Sequence, residues 1–133
     1  LSYAMGCDRR DIAEILLAHG ANVNGASGSL PLGRAATTIR TYAPGASRAA
    51  EEANDLVVFL LERGAQIDAR DGTGSTALMG AAAMGCRKAV RLLLAHGADV
   101  SCRNAIGFTA MGLAQRMRQT EIVDLLAAAG AAE

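Results

Sequence analysis

Apolar residues recur at helical spacing in two neighbouring segments near the middle of the chain. The segment Arg87 to Ala95 has its apolar positions at Ala89, Val90, Leu92, Leu93 and Leu94, which predicts a helix with one apolar face. The segment Ala77 to about Met84 is short and rich in alanine, with Thr76 placed to cap its start. Gly85 separates the two segments. Residues 77–95 therefore predict two short antiparallel helices.

A short Gly-Ala phrase closes each of four successive stretches, with its glycines at positions 20, 64, 97 and 130. The last three glycines are 33 residues apart and the first two are 44 apart. A fixed period of this size indicates one supersecondary unit stacked on copies of itself. We expect Gly97 to be a left-handed C-cap, with His96 beside the last carbonyls of its helix. Residues Asp99–Ser101 are predicted to run extended to a turn at 104–107.

The unit from Asp71 to Arg103 resembles an ankyrin repeat. The residues that carry the resemblance are Asp71, Gly74, Thr76, Leu78, Ala81-Ala82, Gly85, Leu93-Leu94 and Gly97-Ala98-Asp99-Val100. The resemblance implies an all-α fold, a solenoid of helix-turn-helix units with projecting β-hairpin turns. A single domain over 1–133 would hold four copies. These are about 1–26 (truncated), 27–70 (with an inter-helix insertion near 39–51), 71–103, and 104–133 as the C-terminal cap.

The chain departs from the family pattern at the ends of the array. In copy four Arg118 replaces the glycine between the two helices, and Gln115, Arg116, Gln119 and Glu121 give that copy a polar outer face. Copy one is cut within its first helix and has no polar cap. We therefore expect the full protein to extend upstream with a further repeat or a capping helix.

Copy two contains the irregular interval. Its hairpin is two residues shorter than the others, so about thirteen residues are added between its helices, with a turn at Pro44-Gly45. Ser47 is placed to cap a longer second helix that runs to Leu61. The insertion is either a tolerated surface loop or a partner contact. For the second alternative, Tyr42 with Arg40 and Arg48 nearby is a combination enriched at binding hot spots.

Charge and composition limit the classes of partner and the location. Thirteen basic and thirteen acidic residues give a net charge of zero, so we expect no nucleic-acid or membrane partner. No apolar run approaches a membrane span and no signal peptide is visible, so we expect a cytoplasmic protein. Arginine is preferred to lysine, and alanine and glycine are abundant. This composition is typical of a GC-rich genome and favours a bacterial source.

The residues offer little catalytic chemistry. Cys7, Cys86 and Cys102 have neither metal-site nor disulfide spacing, and we interpret them as small apolar residues. His19 and His96 hold equivalent positions before a C-cap glycine, which indicates a structural role in the repeat. The Gly72-Thr73-Gly74 segment lacks the lysine of a phosphate-binding loop. We expect no catalytic residue, no cofactor and no metal.

The family resemblance implies protein recognition through the hairpins and the exposed side of each first helix. The candidate partner-binding residues are Arg70, Thr73, Ser75, Arg103, Ile106 and Phe108 in the hairpins, with Met84, Arg116 and Met117 on the helices, and Tyr42, Arg40 and Arg48 at the insertion; Ser27, Ser29 and Thr38 are weaker candidates. Ile106 and Phe108 are the preferred anchors, although Phe108 would also suit a core position.

The predicted function is a non-enzymatic protein–protein interaction module, either monomeric or bound to a different protein. One alternative is an inhibitor or immunity protein that occludes a toxin or enzyme. Another is the regulatory repeat portion of a larger enzyme.

Overall fold

The structure, a computed structural model, describes residues 10–25, 31–38 and 47–131, with side chains for 10–25, 31–36 and 55–131. Seven helices lie in these ranges and no β-strand is found among the described residues. In chain order the helices are α1 (Arg10–Ala18), α2 (Pro31–Thr38), α3 (Ser47–Glu62), α4 (Ala77–Met84), α5 (Arg87–Ala95), α6 (Ala110–Arg116) and α7 (Thr120–Ala128).

The helices form two layers. The first helices of successive copies, α2, α4 and α6, pack side by side, and so do the second helices α3, α5 and α7. Within each copy the first helix also packs on the second. The all-α repeat architecture expected from the sequence is therefore confirmed, and α4 and α5 have the predicted bounds.

Leucine and alanine fill the space between the layers. Leu60, Leu93 and Leu126 stand at the same position of three successive copies, and each is fully buried. The facing first helices contribute alanines, such as Ala81 and Ala114, that are also fully buried. Because alanine adds only a methyl group, the backbones of neighbouring helices approach closely and a thin core is completely filled.

Helix ends follow the capping signals of the sequence. The Thr76 hydroxyl accepts a hydrogen bond from the Met79 N–H at 3.4 Å, as an N-cap does. Gly97 has the expected left-handed conformation, with φ +84°. The turn between helices is also left-handed, with φ +72° at Gly85 and +57° at its counterpart Arg118. Arg118 is the one residue other than glycine with positive φ in the described part of the chain.

The path out of α5 differs from the predicted extended segment. Val100 and Ser101 form a turn, and the Asp99 carboxylate accepts hydrogen bonds from the Ser101 N–H at 2.8 Å and the Ser101 hydroxyl at 2.6 Å. The expectation was wrong because a short acidic side chain bonds its own backbone two residues on and so favours a turn.

In copies one and two, one side chain ties the copy to the next. Asn24 Oδ1 accepts from the Gln66 N–H at 2.7 Å, and Asp68 Oδ1 accepts from the Asp99 N–H at 2.8 Å. Asn24 and Asp68 stand at the same position of their copies, as do Gln66 and Asp99. The same junction is therefore made twice along the array.

Copy one meets copy two through an aromatic side chain. Phe59 of α3 is 3% exposed, and the guanidinium carbons of Arg10 and Arg63 lie 4.9 and 4.8 Å from its ring centroid. The equivalent positions of the later copies hold Leu92 and Leu125. Cation–aromatic attraction thus contributes at this junction of copies one and two.

The insertion of copy two is described only at its edges. Helix α3 begins at Ser47 and has 16 residues, so the long second helix is confirmed. Ser47 was predicted as the N-cap, but it is the first residue of the helix itself, one position after the N-cap. Tyr42 and Arg40 lie outside the described residues, as do Ser27 and Ser29. Arg48 and Thr38 lie on described helices, but their side chains are outside the described set.

Candidate functional site

The hairpins of copies three and four are joined to each other. The Ala105 N–H donates to the Thr73 carbonyl at 3.0 Å, and Arg70 Nη1 donates to the Arg103 carbonyl at 2.6 Å. A Cβ atom on Gly74 would lie only 3.0 Å from the Ala105 nitrogen. The two turns are therefore in close backbone contact and form one continuous structure, which we call the hairpin edge (residues 70–75 and 103–108).

Asp71 organises the first half of the hairpin edge. Its Oδ1 accepts from the Thr73 N–H (2.8 Å), the Thr73 hydroxyl (2.7 Å) and the Ser75 N–H (3.0 Å), while the Asp71 N–H donates to the Ser75 carbonyl at 2.9 Å. Burial alone would raise the pKa of Asp71, but the Thr73 hydroxyl and the Ser75 and Thr73 N–H groups outweigh it and lower the pKa below its usual 3.8. Thr73 and Ser75 therefore hold the turn together.

Asn104 does the same in the second half with a neutral side chain. Its Oδ1 accepts from the Ile106 N–H at 3.2 Å and the Phe108 N–H at 2.9 Å, and the Asn104 N–H donates to the Phe108 carbonyl at 3.0 Å. The turn leaves Ile106 at the tip with 73% of its surface exposed. This makes Ile106 the most exposed large apolar side chain in the described part of the chain.

Phe108 is half-buried and has a defined place. The guanidinium carbon of Arg116 lies 5.4 Å from its ring centroid, and the ring approaches Gly112, where an added Cβ would be 3.3 Å from Phe108 Cδ1. Part of Phe108 therefore packs on the first helix of its own copy. The two anchors preferred from the sequence thus differ, since the Ile106 side chain is largely exposed and Phe108 packs partly on α6.

Two methionines and two arginines extend the surface. Met84 and Met117, at equivalent positions, are 38% and 49% exposed. Arg103 donates from Nη1 to the Gly107 carbonyl at 2.9 Å, beside Phe108, and Arg116 covers the Phe108 ring. Within the described ranges, no carboxylate forms an ion pair with Arg103 or Arg116.

Arg70 is in a different electrostatic position. It lies close enough to Asp99 to contribute to lowering the pKa of that carboxyl, after the larger effects of the Ser101 hydroxyl and N–H. Behind these residues, burial raises the pKa of the Cys102 thiol, and the Asp99 and Asp68 carboxylates raise it further. Cys102 is therefore a protonated thiol at neutral pH, without the character of a nucleophile.

Most of the candidate residues of copies three and four belong to one connected surface. The contacts above link Arg70, Thr73, Ser75, Arg103, Ile106, Phe108 and Arg116. The role of these residues in binding stays a prediction. The sequence reasoning gave no role to Asp71 and Asn104 beyond the repeat pattern. Their signal was an Asp or Asn at the first position of a turn, where its oxygen accepts backbone N–H groups.

Chemistry elsewhere in the described residues is limited. His19 and His96 each place Nδ1 2.8 Å from the carbonyl four residues earlier, that of Ile15 or Leu92. The structural role predicted for both histidines is confirmed. No group of three His, Cys, Asp or Glu side chains suited to a metal ion occurs in the described set. Within the same set, no helix combines the length and apolar character needed to cross a membrane.

A cleft of about 440 Å³ lies between α6 and α7 in copy four. It is lined by Gln115, Arg118, Gln119, Thr120, Val123 and Asp124. A single carboxylate and a single guanidinium line it, with no histidine or cysteine.

The fold and the hairpin edge define a stacked helical-repeat protein with exposed side chains on a preformed surface. A family model of ankyrin repeats in three copies matches residues 46–132, well over half of the chain. The chain belongs to the ankyrin-repeat family, whose members generally serve as protein–protein interaction modules and are typically not enzymes. A search of the curated proteins found no match.

Proposed function

We propose that this chain binds a partner protein through the hairpin edge of copies three and four together with Met117 and Arg116 on the adjoining helix. The observation that carries the proposal is Ile106, whose side chain is 73% exposed while its backbone N–H is the group bonded to Asn104 within the turn. Exposed apolar side chains that are held in a fixed place are typical anchors of protein interfaces.

Rigidity supports the same function. The two hairpins are bonded to each other, and Asp71 and Asn104 fix the conformation of each turn. A partner that lies across them would not need to order the scaffold, so little of its binding free energy is lost to conformational entropy.

A matched pair of isoleucine variants tests the proposal. Ile106→Ser should reduce capture of the partner from a cell extract at least about tenfold, as expected when an interface anchor is removed. Ile15→Ser is the control, because Ile15 is 59% exposed on α1, a second helix distant from the hairpin edge. Both variants should keep the thermal melting temperature of the original chain.

Equal capture by all three chains would contradict the proposal. The identity of a protein captured by the original chain and lost with Ile106→Ser also separates the two narrower forms of the function. A captured toxin or enzyme whose activity falls on binding would indicate an inhibitor. Capture of a catalytic domain encoded by the same gene would indicate a regulatory repeat.

A further inference from the structure

From the charge around the exposed anchor we infer the chemical class of the partner, an inference that rests on the proposed function. We propose that the copy-four half of the hairpin edge binds an acidic peptide segment, in which carboxylates flank an apolar side chain. The apolar side chain packs on Ile106, and the carboxylates face Arg103 and Arg116.

Each of the two guanidinium groups contacts the copy-four turn. Arg103 is bonded to the Gly107 carbonyl, and Arg116 lies over the ring of Phe108, the next residue along the chain. Each is largely exposed, and neither is ion-paired to a carboxylate in the part of the chain that the structure describes. Both charges are therefore available to a ligand, and both guanidinium groups are held in place by contacts with the turn.

The turn itself omits a negative charge that its neighbour carries. Asp71 and Asn104 stand 33 positions apart in equivalent turns, and the side-chain oxygen of each accepts the N–H groups two and four residues on. An aspartate at 104 would make the same bonds, so the geometry does not require the amide. The neutral side chain leaves the potential of Arg103 and Arg116 uncancelled at the tip.

The apolar part of the surface favours a polypeptide over nucleic acid. Ile106 is 73% exposed at the tip of the turn, and Met117, which follows Arg116 in the chain, is 49% exposed. Aliphatic side chains gain little from a phosphate backbone, whereas they gain from contact with leucine, valine or phenylalanine of a peptide. The whole chain has zero net charge, so no global field adds to the attraction of an anionic ligand to these two arginines.

Exchanging the Asn104 amide for a carboxylate tests the inference. A displayed library of random peptides is selected on the full chain, and the affinity of an enriched, fluorescently labelled peptide is measured by polarisation. We expect the enriched peptides to be acidic around an apolar residue. Asn104→Asp should weaken binding about three- to tenfold at low salt, and the loss should shrink at high salt.

The matched control is Asn22→Asp, which makes the same exchange outside the hairpin edge, at an exposed asparagine of copy one whose Oδ1 accepts from the Asn24 N–H at 2.9 Å, and it should not weaken binding. Arg116→Gln is a second variant, on a helix instead of the turn, and should weaken binding to a similar extent. Both give a readout even if Asn104→Asp disturbs its turn, which the melting temperature would reveal.

Four results would overturn the inference. Enriched peptides that are neutral or basic would refute the acidic partner and leave the proposed function standing. Peptides that lose affinity with Ile106→Ser but not with Asn104→Asp and Arg116→Gln would do the same. Tighter binding of a single-stranded oligothymidylate than of any peptide would assign the arginines to nucleic acid. Failure to enrich any peptide sensitive to Ile106→Ser would refute both proposals together.

Discussion

Arg118 adopts a left-handed backbone conformation, and the equivalent residue of copy three, Gly85, is a glycine. Replacing Arg118 by glycine should stabilise the protein. A left-handed conformation costs a residue with a Cβ atom about 1–2 kcal/mol. Glycine removes this cost but loses about 0.4–1 kcal/mol through the greater freedom of the unfolded chain. Arg118→Gly should therefore raise the free energy of unfolding by about 0.5–1 kcal/mol. For 133 residues this corresponds to about 2–4 °C in melting temperature.

Urea unfolding followed by far-UV circular dichroism measures the change. Arg118→Ala is the matched control, because it removes the same exposed side chain but keeps the Cβ atom and hence the strain. The Arg118 N–H donates to the Gln115 carbonyl at 3.0 Å, and neither substitution removes that bond. If Arg118→Gly is no more stable than Arg118→Ala, the reasoning from φ is refuted.

Two further variants test the core and the hairpin edge. Leu93→Ala should lower the free energy of unfolding by about 2–5 kcal/mol, because Leu93 is fully buried between layers. Leu94→Ala should lower the free energy of unfolding clearly less, because Leu94 is only half-buried. Equal losses for the two variants in urea titrations would show that the core is misplaced. Asp71→Asn should make stability less sensitive to acid. The folded pKa of Asp71 lies below its usual 3.8, so its charge stabilises the fold above about pH 3.8, and this contribution is lost as the pH falls through the folded pKa. Urea midpoints at about pH 5 and pH 3 should therefore differ less in the variant than in the original chain, and identical differences would contradict the assignment.

The repeat architecture could be predicted because its signals are local. Helix α4 lies between a threonine cap at Thr76 and a left-handed glycine at Gly85, and both features are readable as residue types. The Asp99–Ser101 path was mispredicted for the opposite reason. Its conformation depends on whether the Asp99 side chain bonds its own backbone, a competition that residue type alone does not decide.

The location of the candidate site could be predicted from the sequence, but the exposure of its individual side chains could be predicted less well. Ile106 and Phe108 are both apolar residues of one turn, and nothing in their own sequence distinguishes them. The two residues differ because the Phe108 ring packs against Gly112 and lies under the Arg116 guanidinium, which leaves it half-buried. Because of this packing, Phe108→Ala would affect both stability and binding, and Ile106 is the cleaner probe of recognition.

The junction between copies one and two has a chemistry that the later junctions lack. Phe59 lies under the guanidinium groups of Arg10 and Arg63, whereas the same position holds leucine in copies three and four. In a linear array each copy is stabilised only by its neighbours, so an agent that acts on one junction acts on one end of the molecule. A guanidinium ion in solution carries the same cationic group as these arginines and can stack on an aromatic face, whereas urea is uncharged. We therefore expect guanidinium chloride, more than urea, to open the array first at the junction of copies one and two.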